Sequence, residues 1–166
     1  MIPRMASPAL TIRPIGLADR PFLQAEMQRH WGTANIWSIG RPYPADELPG
    51  FIAELESRPV GQITAALEPR RCEIITLSAT IEDRGIGTAL LAAAVTECRT
   101  RGYRSVTLTT TNDNLRAIAF YQKRGWRLVA VHAGMMDRYR ESNANIPTIG
   151  LNDIPLRDEL EFAFEL

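Results

Sequence analysis

The chain has 166 residues, 45% of them hydrophobic and 23% charged, which is room for one domain with a sizeable core. Its 19 basic and 19 acidic residues cancel, speaking against a nonspecific nucleic-acid or polyanion binder. No stretch approaches the roughly 18 consecutive apolar residues of a membrane span, and the opening MIPRMASPAL lacks a signal peptide's apolar run, so the cytoplasm is the expected compartment.

Residues 10–15 (LTIRPI) alternate apolar and polar and predict a first strand. Residues 17–31 predict a helix, with Asp19 and Pro21 near its start, Gly32 after its end, and Phe22, Leu23, Met27 and Trp31 on its apolar side. Residues 33–49, broken by Pro42, Pro44 and Pro49, read as an irregular connection. Its Trp37, Arg41 and Tyr43 either pack the loop onto the core or wall a substrate cleft. Strands over 50–56, 59–66 and 73–79, joined by short turns, make an antiparallel meander.

Residues 72–91 (CEIITLSATIEDRGIGTALL) read as a buried strand, a polar loop, two glycines one residue apart, and a helix. Ile86, Leu90, Leu91, Ala94, Val95 and Cys98 fall on one face at helical spacing. A strand running into a glycine-opened helix is an anion cradle, because the first-turn N–H groups lack partners and the helix dipole places positive charge there. Gly87-Thr88-Ala89 lacks the Lys-Ser/Thr of a P-loop, and Leu90 stands where a dinucleotide fingerprint needs Gly or Ala.

Gly102 ends that helix, and residues 105–110 add a strand, completing a β-α-β crossover. Within residues 111–126 (TNDNLRAIAFYQKRGW), Asn112 or Asp113 is expected to cap a helix that Gly125 closes. Asn114 and Tyr121, seven residues apart, share one of its faces. A strand over 126–132, a short helix around Met135, Met136 and Tyr139, a long connection over 143–155 that would cover a cleft, and a last strand over 157–166 complete the chain. The alternation of that last strand would suit edge pairing in a homodimer. Cys72 and Cys98 are expected as buried thiols rather than a disulfide framework. His30 and His132 lack metal-ligand spacing, so no metal is expected.

Two of these stretches match a known pattern. Gly85 and Gly87 take the last two positions of Gln/Arg-x-x-Gly-x-Gly/Ala, with Glu82 at the Gln/Arg position. Asn114, Ala117, Tyr121 and Gly125 fall on Asn-x-x-Ala-x-x-x-Tyr-x-x-x-Gly-Phe, with Trp126 as the final aromatic. In this order, with one strand between, they resemble the GNAT N-acetyltransferases over nearly the whole chain. The resemblance implies a single α+β domain over 1–166, with a mixed, mostly antiparallel central sheet flanked by helices. It implies acetyl-CoA as acyl donor and a primary amine of a small molecule or peptide as acceptor. Arg84, Gly85, Ile86, Gly87 and Thr88 would hold the pyrophosphate. Leu77, Ser78 and Ala79 would meet the pantetheine arm, with Asn114 and Ala117 beside it.

Tyr121 takes the family's general-acid role, and Glu73 the base role, with Glu54 or a water chain as alternatives. Trp37, Arg41 and Tyr43 would suit an amphipathic amine bearing a carboxylate. A longer acyl group would need space beside Leu77 and Tyr121. Glu82 keeps a second reading open, a non-catalytic CoA or acyl-CoA binding module, because a carboxylate repels a pyrophosphate unless it turns outward.

Overall fold

A computed structural model describes residues 9–166, so the first eight positions of the expected domain lie outside the described residues. In chain order the elements are β1 (Leu10–Pro14), α1 (Arg20–Trp31), β2 (Asn35–Ser38), β3 (Arg41–Pro44), β4 (Gly50–Leu55), β5 (Arg58–Glu68), β6 (Arg71–Ala79), α2 (Ile86–Thr100), β7 (Ser105–Thr111), α3 (Leu115–Gln122), β8 (Arg127–His132), α4 (Met135–Ser142) and β9 (Glu159–Glu165). Seven strands form one sheet in the order β1-β4-β5-β6-β7-β9-β8, and β2 and β3 form a separate ribbon. Within the seven-stranded sheet every pairing is antiparallel except β6–β7. This is the mixed, mostly antiparallel α+β sheet that the sequence predicts.

Side-chain alternation divides the core between the two faces. Ala53 of β4 joins Ile86, Leu90 and Leu91 of α2, while its neighbour Ile52 joins Leu23 and Met27 of α1. A third cluster, Met135, Met136, Tyr139 and Leu156, packs α4 against the returning chain. Among the described residues no helix is long and apolar enough to cross a membrane.

Five expectations need correction. Residues 33–49 are not irregular, because β2 and β3 form a hairpin whose two turn residues, Ile39 (φ 48°) and Gly40 (φ 74°), are both left-handed. That geometry matches the twist of a two-residue hairpin, and the prolines fit because a two-stranded ribbon leaves each strand one free edge. The last strand is no edge: β9 sits between β7 and β8, and β8 forms the border. The cap of α3 is Asn114, whose Oδ1 accepts the Ala117 N–H at 3.1 Å, rather than Asn112 or Asp113. Cys72 and Cys98 are buried as expected but are joined as a disulfide, because β6 packs its Cys72 side onto α2 and brings the Cα atoms to 6.7 Å. The predicted helix over 17–31 begins with a 3-10 turn, Leu17–Asp19, before α1.

Candidate active-site cleft

The site originates in a missing stretch of ladder. The parallel pairing of β6 with β7 covers Cys72↔Val106 to Ile74↔Leu108 and then stops, while β5 follows β6 as far as Gly61↔Ala79. The departure coincides with a β-bulge: Thr64 pairs with Thr76 and Ala65 with Ile74, leaving Ile75 as the extra residue. A bulge bends its strand and sharpens its twist, so β6 leaves β7 here. The gap is a cleft of about 510 Å³ lined by Ile74–Leu77 on one side and Leu108–Thr111 on the other. Backbone groups of β6 past Ile74 face it without a sheet partner, as a ligand with amide groups requires.

At one end the chain passes from β6 into the loop before α2. Asp83 (φ 57°) and Gly85 (φ 72°) take left-handed conformations that turn the backbone into the helix. Gly85 is the N-cap of α2 and supplies no side-chain cap. The first intrahelical bond is Ala89 N–H to the Gly85 carbonyl at 2.9 Å, so the N–H groups of Ile86, Gly87 and Thr88 remain free for an anion. Glu82 does not intrude on this cradle. It pairs with Arg116 of α3, which also reaches Asp83 at 3.6 Å. Arg124 stacks on Phe120 and donates to Thr88 Oγ1 at 2.7 Å, placing a second guanidinium beside the helix start.

Along the cleft wall, α3 presents Asn114, Ala117 and Tyr121, all of which line it. Tyr121 packs against Phe120, Trp126 and Phe162, and its burial pushes the phenol up to about 12, so it carries its proton at neutral pH. Among the described residues its hydroxyl has no protein hydrogen-bond partner. Leu77 also lines the cleft. Ser78 turns the other way, donating to Glu26 of α1 at 2.8 Å, so only its main chain is available to the cleft side.

The predicted substrate and base residues divide. Trp37 lines the cleft, 5.5 Å from the Tyr139 ring. Arg41 and Tyr43 do not: Arg41 pairs with Glu68 and stacks on Tyr43, whose hydroxyl donates to Glu73 at 3.3 Å. Glu73 is 1% exposed and is not among the lining residues. Ser38 holds its Oε1, while Tyr43 and Arg71 hold its Oε2. Glu54 is bound by Arg13 at the far edge of the sheet.

A different carboxylate lies in the cleft. Glu159 opens β9 opposite Thr111 of β7 and His132 of β8, and it lines the cavity. Its Oε2 accepts the Tyr139 hydroxyl at 2.9 Å and the Ile39 N–H at 2.9 Å, while Tyr139 accepts the Gly40 N–H at 2.8 Å. Desolvation by burial raises the Glu159 carboxyl above the ordinary range, against lowering from the Tyr139 and Ile39 hydrogen bonds. Neither Glu159 nor Tyr139 is marked by sequence pattern as a residue of this cleft, which both line. The one local signal is that Glu159 starts the alternating last strand, and its meaning depends on where that strand inserts.

The long connection expected over 143–155 lines the same cavity through Asn143, Ile146 and Leu151. Asp113, just before α3, ties it down by accepting the Leu151 N–H at 2.7 Å. No group of three or more His, Cys, Asp or Glu suited to a metal occurs among the described residues.

Comparison with known proteins gives three kinds of likeness. The family model described as Acetyltransferase (GNAT) family matches residues 18–126. The uncharacterized proteins YxbD and YdhI of Bacillus subtilis (strain 168) are each 40% identical, over 95% and 81% of this chain and 99% and 85% of their own lengths. Among solved structures, an IAA acetyltransferase from Bacillus cereus ATCC 14579 superposes with a TM-score of 0.70 at 21% identity, covering 95% of this chain and all of its own. A GNAT family acetyltransferase from Elizabethkingia anophelis with acetyl-CoA bound gives 0.68 at 18% identity, over 95% and 98% of the two chains.

Proposed function

Because the chain belongs to the GNAT acetyltransferase family, we propose that it moves the acetyl group of acetyl-CoA directly to a primary amine. The observation that carries this reading is the placement of Tyr121. Tyr121, protonated and with no hydrogen-bond partner for its hydroxyl among the described residues, lines the cleft opened between β6 and β7, on the helix that also flanks the α2 cradle.

Acetyl-CoA has three parts to be held, and the cleft has a counterpart for each. The free N–H groups at the start of α2, from Gly85 to Thr88, receive the pyrophosphate, with Arg84 as an added cation. The backbone of Leu77, Ser78 and Ala79, paired with β5 on one side and open on the side toward β7, takes the amides of the pantetheine arm, with Ala117 and the Asn114 cap opposite. The thioester then comes to Tyr121. Transfer forms an N–C bond to the acetyl carbonyl and breaks the C–S bond, and the departing thiolate takes its proton from Tyr121. Burial keeps the phenol protonated at neutral pH, so a proton is at hand beside the sulfur as the C–S bond breaks. The pairing of Glu82 with Arg116 supports pyrophosphate binding, since it turns the one misplaced carboxylate away and neutralises it.

The test is a thermal-shift titration with acetyl-CoA, CoA, NAD and ATP side by side, followed by thiol release with amines. A ligand at about 100 times its Kd stabilises the fold by roughly 2.7 kcal/mol. A shift with the CoA compounds alone, and thiol release only when an amine is added, is the expected result. A larger shift with NAD or ATP, or binding with no turnover of any amine, overturns the reading.

A further inference from the structure

The acyl-donor half of the cleft leaves its other half, between the β2–β3 hairpin and α4, to the acceptor. Its walls there are Trp37, Met136, Tyr139, Ile146 and Leu156, with Glu159 at the base. Trp37 is 42% exposed although it touches Tyr139, so one face of a large ring remains open to a ligand. Among the described lining residues there is no lysine or arginine, and the acidic ones are Glu159 and Asp113. These two differ in availability. Asp113 Oδ2 is bound to the Leu151 N–H, and its Oδ1 is sealed from solvent. Both protein bonds to Glu159 fall on Oε2, leaving Oε1 with no protein partner among the described residues.

Resting on the acetyltransferase reading above, we infer that the acceptor is a primary amine on an apolar, ring-sized body without a carboxylate, and that Glu159 receives its ammonium group and takes its proton. A cavity lined by acid and by no lysine or arginine discriminates by charge, because a carboxylate on the acceptor would be desolvated with only His30, itself beside Glu26, as a basic neighbour. An aromatic box beside the acid stabilises a cation and covers an apolar ring. Glu73 lacks this opportunity, since both of its oxygens are already engaged and it stands outside the lining.

The step balances as follows. The ammonium gives one proton to Glu159 Oε1, and the freed lone pair attacks the thioester carbonyl, forming N–C. Collapse breaks C–S, the sulfur takes a proton from Tyr121, and the second proton lost by nitrogen restores that phenol. Glu159 returns its proton to solvent. Its surroundings favour this traffic. Tyr139 of α4 donates to it, His132 of β8 is held by Glu161 at 2.8 Å, and Glu73 of β6 is held by Arg71 at 3.1 Å. The facing residue of β7, Thr111, is uncharged. Burial raises the carboxyl toward the working range, where a base accepts a proton and lets it go.

The experiment compares 2-phenylethylamine with phenylalanine, spermidine and a short peptide bearing a free α-amine, in wild type, Glu159→Gln, Asp113→Asn and His30→Gln, with acetyl-CoA thermal shift as an independent readout. Expected is a kcat/KM for 2-phenylethylamine at least tenfold above that for phenylalanine. Glu159→Gln should bind acetyl-CoA normally, lose about 10²-fold or more in kcat near neutral pH, and regain rate tenfold per pH unit as free amine accumulates. A carboxylate-bearing or polyamine acceptor equal to or better than 2-phenylethylamine, turnover of the peptide alone, an unchanged pH profile in Glu159→Gln, or its pH signature transferred to Asp113→Asn or His30→Gln overturns the inference. Absence of any acetyl-CoA shift in wild type would instead overturn the acetyltransferase reading beneath it.

Discussion

Gly150 lies so close to Asp113 that a Cβ built on it would sit 2.0 Å from Asp113 Oδ2. The carboxylate spends that oxygen on the next N–H, that of Leu151, and Asn152 donates to the Asp113 carbonyl at 3.2 Å. The connection between α4 and β9 is thus pinned to the start of α3, one residue from the Asn114 cap.

Gly150→Ala is therefore expected to destabilise the protein by about 1–3 kcal/mol, a few degrees in Tm, since neither the backbone nor the buried carboxylate can yield freely. Adding Asp113→Ala should recover part of the loss rather than compound it. Thermal unfolding of the four-member cycle measures the coupling. Additive effects would mean that the loop is held elsewhere.

Tyr121→Phe removes a hydroxyl without a protein partner among the described residues, so the fold should keep its stability within about 0.5 kcal/mol. Turnover should fall by about 10² to 10⁴-fold with acetyl-CoA affinity unchanged. Steady-state kinetics and a CoA titration separate these outcomes. Equal loss of both would make Tyr121 a packing residue.

Arg116→Ala leaves stability nearly untouched, because the Glu82–Arg116 pair is exposed and such pairs contribute roughly 0–1 kcal/mol. Acetyl-CoA affinity should nonetheless weaken severalfold, since Glu82 is released beside the pyrophosphate site. Glu82→Gln in the same protein should restore it. The salt dependence of the Kd checks the electrostatic origin.

Asp19 answers to pH. Its hydrogen bonds from Arg13, at 2.7 Å to each oxygen, hold its carboxyl below the ordinary 3.8, outweighing desolvation. A folded-state pKa below the unfolded one means that the stabilisation is full above the unfolded value and is lost as pH falls through the folded one. Denaturant midpoints for wild type and Asp19→Asn should differ at pH 7 and converge in acid below about pH 4. A gap that stays constant with pH would remove Asp19 from the titration.

What could be read from the sequence was local. Gly85 and Gly87 declare the cradle, and Asn114 and Tyr121 declare a shared helix face, because helical spacing translates sequence distance directly into space. Pro42 and Pro44 misled, since a proline ends a central strand but is tolerated in a two-stranded ribbon, and no local signal says which is present. Glu73 sits where the family pattern places a base, yet Ser38, Tyr43 and Arg71, brought from other elements, occupy it. Glu159 gains its place because β9 threads between β7 and β8, a pairing across nearly fifty residues of sequence to Thr111. The Cys72–Cys98 pairing has the same long-range origin.

The short β6–β7 contact has a mechanical consequence. With only Cys72↔Val106, Glu73↔Thr107 and Ile74↔Leu108 across it, the sheet is two stiff antiparallel leaves, β1-β4-β5-β6 and β7-β9-β8, bound along a three-rung spine. Covers hinged so near one edge swing widest at the far edge, where Ala79 and Thr111 face the opening. A guest lying between the leaves takes the place of the absent rungs and stiffens both at once, so amide exchange at Leu77 and Thr109 should slow together when the donor binds.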